Sequence, residues 1–246
     1  MIAEWLIDRR AKRIVLGGRS KPKSSVMDEI ARLKEKGADV VAAQLDVTDK
    51  NSLEQVIENC DEMGYPLKGL IHAVGVLDDG SILHQTKARF EKVLKPKMEG
   101  AWNLHQLTAS LSLDFFIMFS STASLLGTPG QSNHAAANAF MDQLAHYRRG
   151  QGLPGMSINW GAWSEIGAAA REGVGEQWKD RGINPITPAM GVAAFTQLFE
   201  EMPIQVGVAP ISWSTYIKNV SNEQSHSFYE HVVTDEEHLD SNVQSG

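Results

Sequence analysis

Apolar residues along the chain fall into short runs that alternate with helical repeats. The run KRIVLGG is β-branched and ends in glycines, which predicts a strand. SSVMDEIARLKEKG follows, with Met27, Ile30 and Leu33 at helical spacing and a terminal glycine stop. ADVVAAQLDVTD predicts the next strand, with Asp46 at its carboxyl end, and Thr48 or Asp49 caps the helix NSLEQVIENCDEMG. LKGLIHAVGVLDDG reads as a third strand running into a glycine-containing loop. A long helical stretch from about Thr86 to Ser110 leads to a fourth strand, LDFFIMFSS. HAAANAFMDQLAHYRRGQG predicts a helix stopped at Gly150 or Gly152, and LPGMSINWGAW a fifth strand. The helix MGVAAFTQLFEE and the strand IQVGVAPI complete the alternation.

Strands alternating with helices predict a mostly parallel sheet covered on both faces. Ligands of such sheets bind at the carboxyl ends of the strands, which here carry Arg19, Asp46, Gly75, Ser121 and Gly161. A dinucleotide-binding fold opens with a strand, a G-x-G-x-x-G turn and a helix. This chain opens on AEWLIDRR, which has the pattern of the end of that helix. Gly17 and Gly18 follow a strand but lack both the spacing and a small-residue helix start, so the phosphate loop is missing from the sequence. The segment from about Ser164 to Pro188 has charge, glycine and little periodicity, and is expected to form a mobile lid.

The chain has 246 residues, of which 42% are hydrophobic and 22% charged, proportions that suit one sizeable α/β domain. A net charge of −7 gives no global support for a nucleic-acid or anionic-membrane partner. Cys60 is the single cysteine, so neither an intrachain disulfide nor a cysteine-based metal cluster is expected, in keeping with a reducing cytoplasm. No apolar run approaches the roughly 18 residues of a membrane span. The first residues lack the order of a signal peptide.

Several residues then stand out, each with an ordinary alternative. Arg19 and Ser20 lie where an NADP site holds the adenosine 2′-phosphate, which arginine's planar fork pairs well. Among Lys12, Arg13, Lys21 and Lys23 they also read as a solvated basic loop. Asp46 suits an adenine amine or a turn. Asp78 and Asp79 suit substrate contacts or solvated turn acids. Lys97 reads by default as a surface lysine. Ser121 could hydrogen-bond a carbonyl or cap a strand end. His134, at a helix start, is a candidate general acid or a structural histidine.

Together these stretches narrow the choice. VLGGRS, LDVTD, LIHAVGVLDDG, VLKPKMEGAWNLHQLT, FSSTASLLGTPGQSN, AAANAFMDQLAHYRR, SINWGAW and QVGVAPISW occur in order. From residue 3 to about 217 the chain thereby resembles the ketoreductase domain of modular polyketide synthases, a short-chain dehydrogenase/reductase relative. The resemblance implies a Rossmann-like, doubly wound parallel sheet, here lacking its first strand and glycine-rich loop. It places an N-terminally incomplete ketoreductase domain over 1–217 and an acidic polar linker over 218–246. It implies a cytoplasmic, NADPH-dependent reductase of polyketide or fatty acid biosynthesis, without a metal. The substrate is a β-ketoacyl chain on the phosphopantetheine arm of an acyl carrier protein, and the other synthase domains are partners. By position, Lys97, Ser121, His134 and Asn138 match the catalytic tetrad. Arg19, Ser20, Asp46, Val47, Val74, Gly75 and Gly161 match the cofactor site. Asp78, Asp79, Pro129 and Asn133 match the subtype that delivers a D-configured hydroxyl, and Leu126 stands where the opposite subtype has tryptophan.

Two departures oppose activity. Without the glycine-rich loop the pyrophosphate has no cradle. His134 stands where the family has the tyrosine that protonates the nascent alkoxide. Histidine's reference pKa is about 6.5, and a nearby Lys97 cation disfavours imidazolium further. A neutral imidazole N–H is a far weaker acid than a phenol, and it is also shorter. The expectation is a badly impaired reductase, or alternatively an inactive scaffold or gene fragment. The apolar edge left by the missing strand also predicts self-association.

Overall fold

The computed structural model describes residues 1–167 and 178–219, together with Tyr229 and Val232. Part of the expected lid (168–177) and nearly all of the expected tail therefore lie outside the described residues.

The elements follow the alternation of the sequence. They are α1 (Ile2–Asp8), β1 (Arg13–Gly18), α2 (Ser24–Glu35), β2 (Asp39–Gln44), α3 (Lys50–Glu62) and β3 (Gly69–His72). The expected long helix over 86–110 consists of α4 (Lys87–Leu94), a π-helical turn (Lys95–Glu99) and α5 (Gly100–Thr108). After these come β4 (Phe115–Ser121), a short α6 (Ala123–Leu126), α7 (Ser132–Gly150) and β5 (Met156–Trp160). The last described elements are α8 (Pro188–Glu201), β6 (Gln205–Val208) and α9 (Trp213–Asn219), so helix extends past the expected domain end at 217. Of the two candidate caps for α3, Asp49 is the one used: its carboxylate accepts from the Asn51 N–H. The chain divides into two compact units, Met1–Trp160 with Val192–Gly207, and Gly161–Gly191 with the residues from Val208 onward.

Within the first unit the apolar spacing of each helix finds its partner. Ile30 and Leu33 of α2 pack with Ile7, Ala38 and Val40. The larger core joins Leu45, Leu53, Leu104, Phe116, Met118, Met141 and Leu144. Trp5 anchors α1 to α8: its indole N–H donates to Thr196 Oγ1 at 2.7 Å. Its ring stands edge-on to Phe195 and Phe199, each with centroids 4.9 Å away.

The strands do not form one sheet. β1 pairs with β2 in parallel from Arg13↔Asp39 to Gly18↔Gln44. Separately, β3, β4, β5 and β6 are neighbours in that order, with β3–β4 and β4–β5 parallel. The single doubly wound sheet that the resemblance implies is thus split into two-stranded and four-stranded parts. Burial follows the split. β5 is buried throughout, whereas β1 is half-buried and then exposed at its two glycines, and β3 is half-buried up to His72. Interior strands of a parallel sheet are normally covered on both faces. Here β1 and β3 are edges because, among the described residues, no strand lies between them to take their free N–H and C=O groups.

This packing generates two stability predictions. A Cβ on Gly69 would overlap the Phe115 ring on the paired strand, so Gly69→Ala should cost about 1–3 kcal/mol in chemical denaturation. His72 is 2% exposed, and burial, helped by the Lys97 charge, pushes its pKa down to about 3. Unfolding returns it to about 6.5, so the unfolded chain binds the extra proton and stability falls as pH drops from about 6.5 toward 3. Between about pH 5 and 6, His72→Gln should flatten the slope of unfolding free energy against pH by up to about 1.4 kcal/mol per pH unit. An unchanged slope would show that His72 is protonated in the folded chain.

Candidate active site

The π-helical turn between α4 and α5 turns Lys97 into the core instead of toward solvent, and such turns recur at functional sites. Lys97 is 5% exposed, and its Nζ donates to the Phe119 carbonyl on β4 at 3.0 Å. Burial brings its pKa down to about 8, opposed by the negative charge of Asp142. The default reading of Lys97 as a surface lysine is therefore corrected. Gly75 makes room for it: a Cβ there would lie 3.0 Å from Lys97 Cε.

β4 ends at Ser121, whose hydroxyl accepts from the Ala123 N–H at 3.2 Å and starts α6. On α7, His134 and Asn138 are one helical turn apart and share a face. Asn138 is fully buried, and its Nδ2 donates to the His134 carbonyl at 2.7 Å. Asn138 Oδ1 and His134 Nδ1 are both buried and have no hydrogen-bond partner among the described residues. Burial first, and the Lys97 charge second, push the His134 pKa down to about 4. At neutral pH the ring is therefore neutral and has no labile proton of useful acidity.

The Asp78–Asp79 loop is held from two sides. Asp78 pairs with Arg89 at 2.6 Å and Lys92 at 2.8 Å, both on α4, and these hydrogen bonds lower its carboxyl below the usual range. Asn133 is fully buried; its Nδ2 donates to the Asp78 carbonyl at 2.8 Å, and its Oδ1 accepts from the His134 N–H at 2.7 Å. Gln131 Nε2 donates to Asp79 Oδ2 at 2.7 Å, and the Gly80 N–H to the Gly130 carbonyl at 2.8 Å. Pro129 lies in the same crossing loop. Asp78 is thus an ion-paired anchor, which corrects its reading as a solvated turn acid.

The remaining candidates are more scattered. Arg19 and Ser20 are exposed just past β1. Asp46 accepts from the Thr48 N–H at 2.9 Å and the Thr48 hydroxyl at 2.8 Å, which lowers its carboxyl, with a smaller contribution from Arg19. Its carboxylate thus already serves a turn. The Val47 side chain is buried in the core, where it would lie 2.6 Å from a Cβ on Gly100, and Val74 packs against the same core. Gly161 belongs to the second unit, where its N–H donates to the Val208 carbonyl at 2.8 Å.

Comparison with known proteins fits this geometry. The family model described as "KR domain" matches residues 1–165. A phenolphthiocerol/phthiocerol polyketide synthase protein of Mycobacterium tuberculosis (strain CDC 1551 / Oshkosh) is 37% identical over 98% of this chain and 13% of its own length. A mycocerosic acid synthase-like polyketide synthase of M. tuberculosis (strain ATCC 25618 / H37Rv) is 37% identical over 88% of the chain and 10% of its length. The chain therefore spans only a small part of the curated relatives it matches. A solved A1-type ketoreductase is 31% identical with a TM-score of 0.84, over 87% of this chain and 45% of that one. A ketoreductase domain from the bacillaene assembly line is 32% identical with a TM-score of 0.79, over 89% and 54%. The chain belongs to the ketoreductase domains of polyketide synthases.

Domains of this family use NADP(H), and the residues of this ketoreductase fit only part of that cofactor. Arg19 is exposed and free to meet a phosphate at the carboxyl end of β1. Among the described residues, no strand and glycine turn stand between β1 and β3, where backbone N–H groups would cradle a pyrophosphate. Among the same residues, no helix is long and apolar enough to cross a membrane.

The ketoreductase residues that sequence reasoning passed over are Arg89, Lys92, Ser124, Asp142, Ser157 and Asn159. Asp142 carried a signal: it lies four residues beyond Asn138 and eight beyond His134, a charge on the helix stripe that faces the sheet.

Proton-detected NMR of the imidazoles should show His134 titrating at about 4. Lys97→Met should move that midpoint upward without restoring the ordinary histidine value, since burial is the larger cause. A His134 midpoint at about 6.5 in the parent chain would contradict the buried neutral ring.

Proposed function

We propose that this chain is a polyketide synthase ketoreductase domain whose own chemistry, reduction of a carrier-bound β-ketoacyl thioester to the β-hydroxyacyl thioester, is impaired. The carrying observation is the His134 imidazole, which burial first and the Lys97 charge second hold neutral at physiological pH, at the position read as the tetrad's acid. NADPH, when bound, supplies the hydride. The protein must then orient the ketone and deliver one proton to its oxygen. The Ser121 hydroxyl is available to orient the ketone at the end of β4. Proton delivery falls to His134, and a neutral imidazole holds its proton too tightly for that task. The Asp78–Asp79 loop, clamped to Asn133 and Gln131, supports reduction to the D-configured hydroxyl. Partners in this reading are an acyl carrier protein bearing the substrate on phosphopantetheine and the neighbouring synthase domains.

The neutral, buried imidazole of His134 also suits a second reading, that of a non-catalytic scaffold within the synthase. A parallel strand with a glycine-rich turn, placed between β1 and β3 by a preceding segment or another chain, separates the two readings.

A fluorescence titration with NADPH, with NADH as control, should give no saturable micromolar binding to the chain alone. Adding a segment that carries the strand and glycine turn should create NADPH-selective binding. In that completed form His134→Tyr should raise ketone reduction by about 100-fold or more, the usual worth of a placed general acid. A completed His134→Tyr protein that binds NADPH and stays inert would refute the reductase reading in favour of the scaffold.

A further inference from the structure

Beneath the tetrad lies an enclosed polar cluster centred on Asp142 of α7, which is 3% exposed. Its Oδ1 accepts from the Ser157 hydroxyl on β5 at 2.6 Å. Its Oδ2 accepts from the Ser124 hydroxyl on α6 at 2.6 Å and from Asn159 Nδ2 on β5 at 2.9 Å. The second Asn159 N–H is left for one of three acceptors within reach, the Ser124 hydroxyl at 2.8 Å, the Ser120 hydroxyl at 3.1 Å or the Ser121 carbonyl at 3.2 Å. Gln205 Nε2 in turn donates to Asn159 Oδ1 at 3.3 Å. One carboxylate therefore ties together α6, α7 and β5, and through Asn159 it comes within reach of the end of β4.

A buried carboxylate is costly unless it is well supplied with donors or a counter-charge. Among the described residues Asp142 has three donors, all neutral, and no cation in hydrogen-bond contact. The cation it acts on is Lys97, which donates only to a neutral carbonyl. Two charges enclosed in one low-dielectric region thus compensate each other without touching. A core that needed only packing would place an apolar residue at 142 and would need none of the three donors.

We propose that Asp142 is the positioning residue of this ketoreductase site: it locks the strand end that carries Ser121 and serves as the counter-charge that keeps Lys97 an ammonium. The proposal rests on the reductase reading of the site, but its test reads Lys97 and the strand end directly, without turnover. Other titratable groups facing Lys97 are His72 on β3 and His134 on α7, and both are neutral above about pH 5, so near its midpoint Lys97 is set by burial and by the opposing charge of Asp142.

The test is a titration of Lys97 by NMR of the ¹³Cε-labelled chain, paired with amide hydrogen exchange across residues 120–124. In the parent chain Lys97 should titrate at about 8. Asp142→Asn, which keeps the shape and loses the charge, should lower that midpoint by about one pH unit or more. Ser157→Ala, which keeps the charge and removes a donor whose hydroxyl serves Asp142 and not residues 120–124, should leave the midpoint in place. It should, however, speed exchange of the Thr122 and Ala123 amides about fivefold. A folded Asp142→Asn chain with an unmoved Lys97 midpoint overturns the proposal. Should Asp142→Asn fail to fold, Ser157→Ala decides: faster exchange at the strand end supports the lock, and unchanged exchange overturns it. Failure of NADPH binding in the completed protein would instead count against the reductase reading and leave these readouts intact.

Discussion

The buried ammonium of Lys97 organises the site electrostatically. A cation with one neutral acceptor, the Phe119 carbonyl, projects its field through a medium that screens it poorly. Burial lowers His134 and His72, and that field lowers both further. Asp142 is the charge that balances it. The same ammonium that would sharpen a phenol's acidity suppresses the protonated form of an imidazole. A nearby cation lowers a phenol and an imidazolium alike, and in the His134 imidazole it adds to burial in favouring the neutral ring.

Backbone pairing sets the second constraint. A parallel sheet has no tolerance for a missing interior strand, because each strand's N–H and C=O groups point to both sides in its plane. With no described strand between β1 and β3, the pairs on either side hold together only through helices and side chains. Trp5, seated against Phe195, Phe199 and Thr196, keeps α1 in place. Glu4, bridging Arg32 and Lys36, ties α1 to α2. Exposed pairs of that kind are individually weak, so the apolar contacts hold the arrangement.

Much of this architecture was legible in the linear order of residues. The apolar periods of α2, α3 and α7, the β-branched run of β1 and the apolar run of β4 each lie within a few residues. Local propensity and spacing are enough to define such elements. The missing glycine turn was legible for the same reason, since the motif occupies six consecutive positions. Placing Ser121 at a strand end and His134 with Asn138 on one helix face needed only the two regular periods. What those residues do there required the fold.

The sequence by itself determined the order of strands and helices, the ketoreductase motifs and the histidine at the start of α7. All of these are properties of short windows in which neighbouring residues define one another. Only the tertiary structure decided that Lys97 is buried, in a π-helical turn between two regular helices. It alone showed that Asp78 is held by Arg89 and Lys92 and that Asp142 gathers Ser124, Ser157 and Asn159. Those partners lie between 11 and 18 residues away along the chain. Charge and desolvation depend on distance in space, and no local pattern encodes which distant groups will share an enclosed, poorly screened volume.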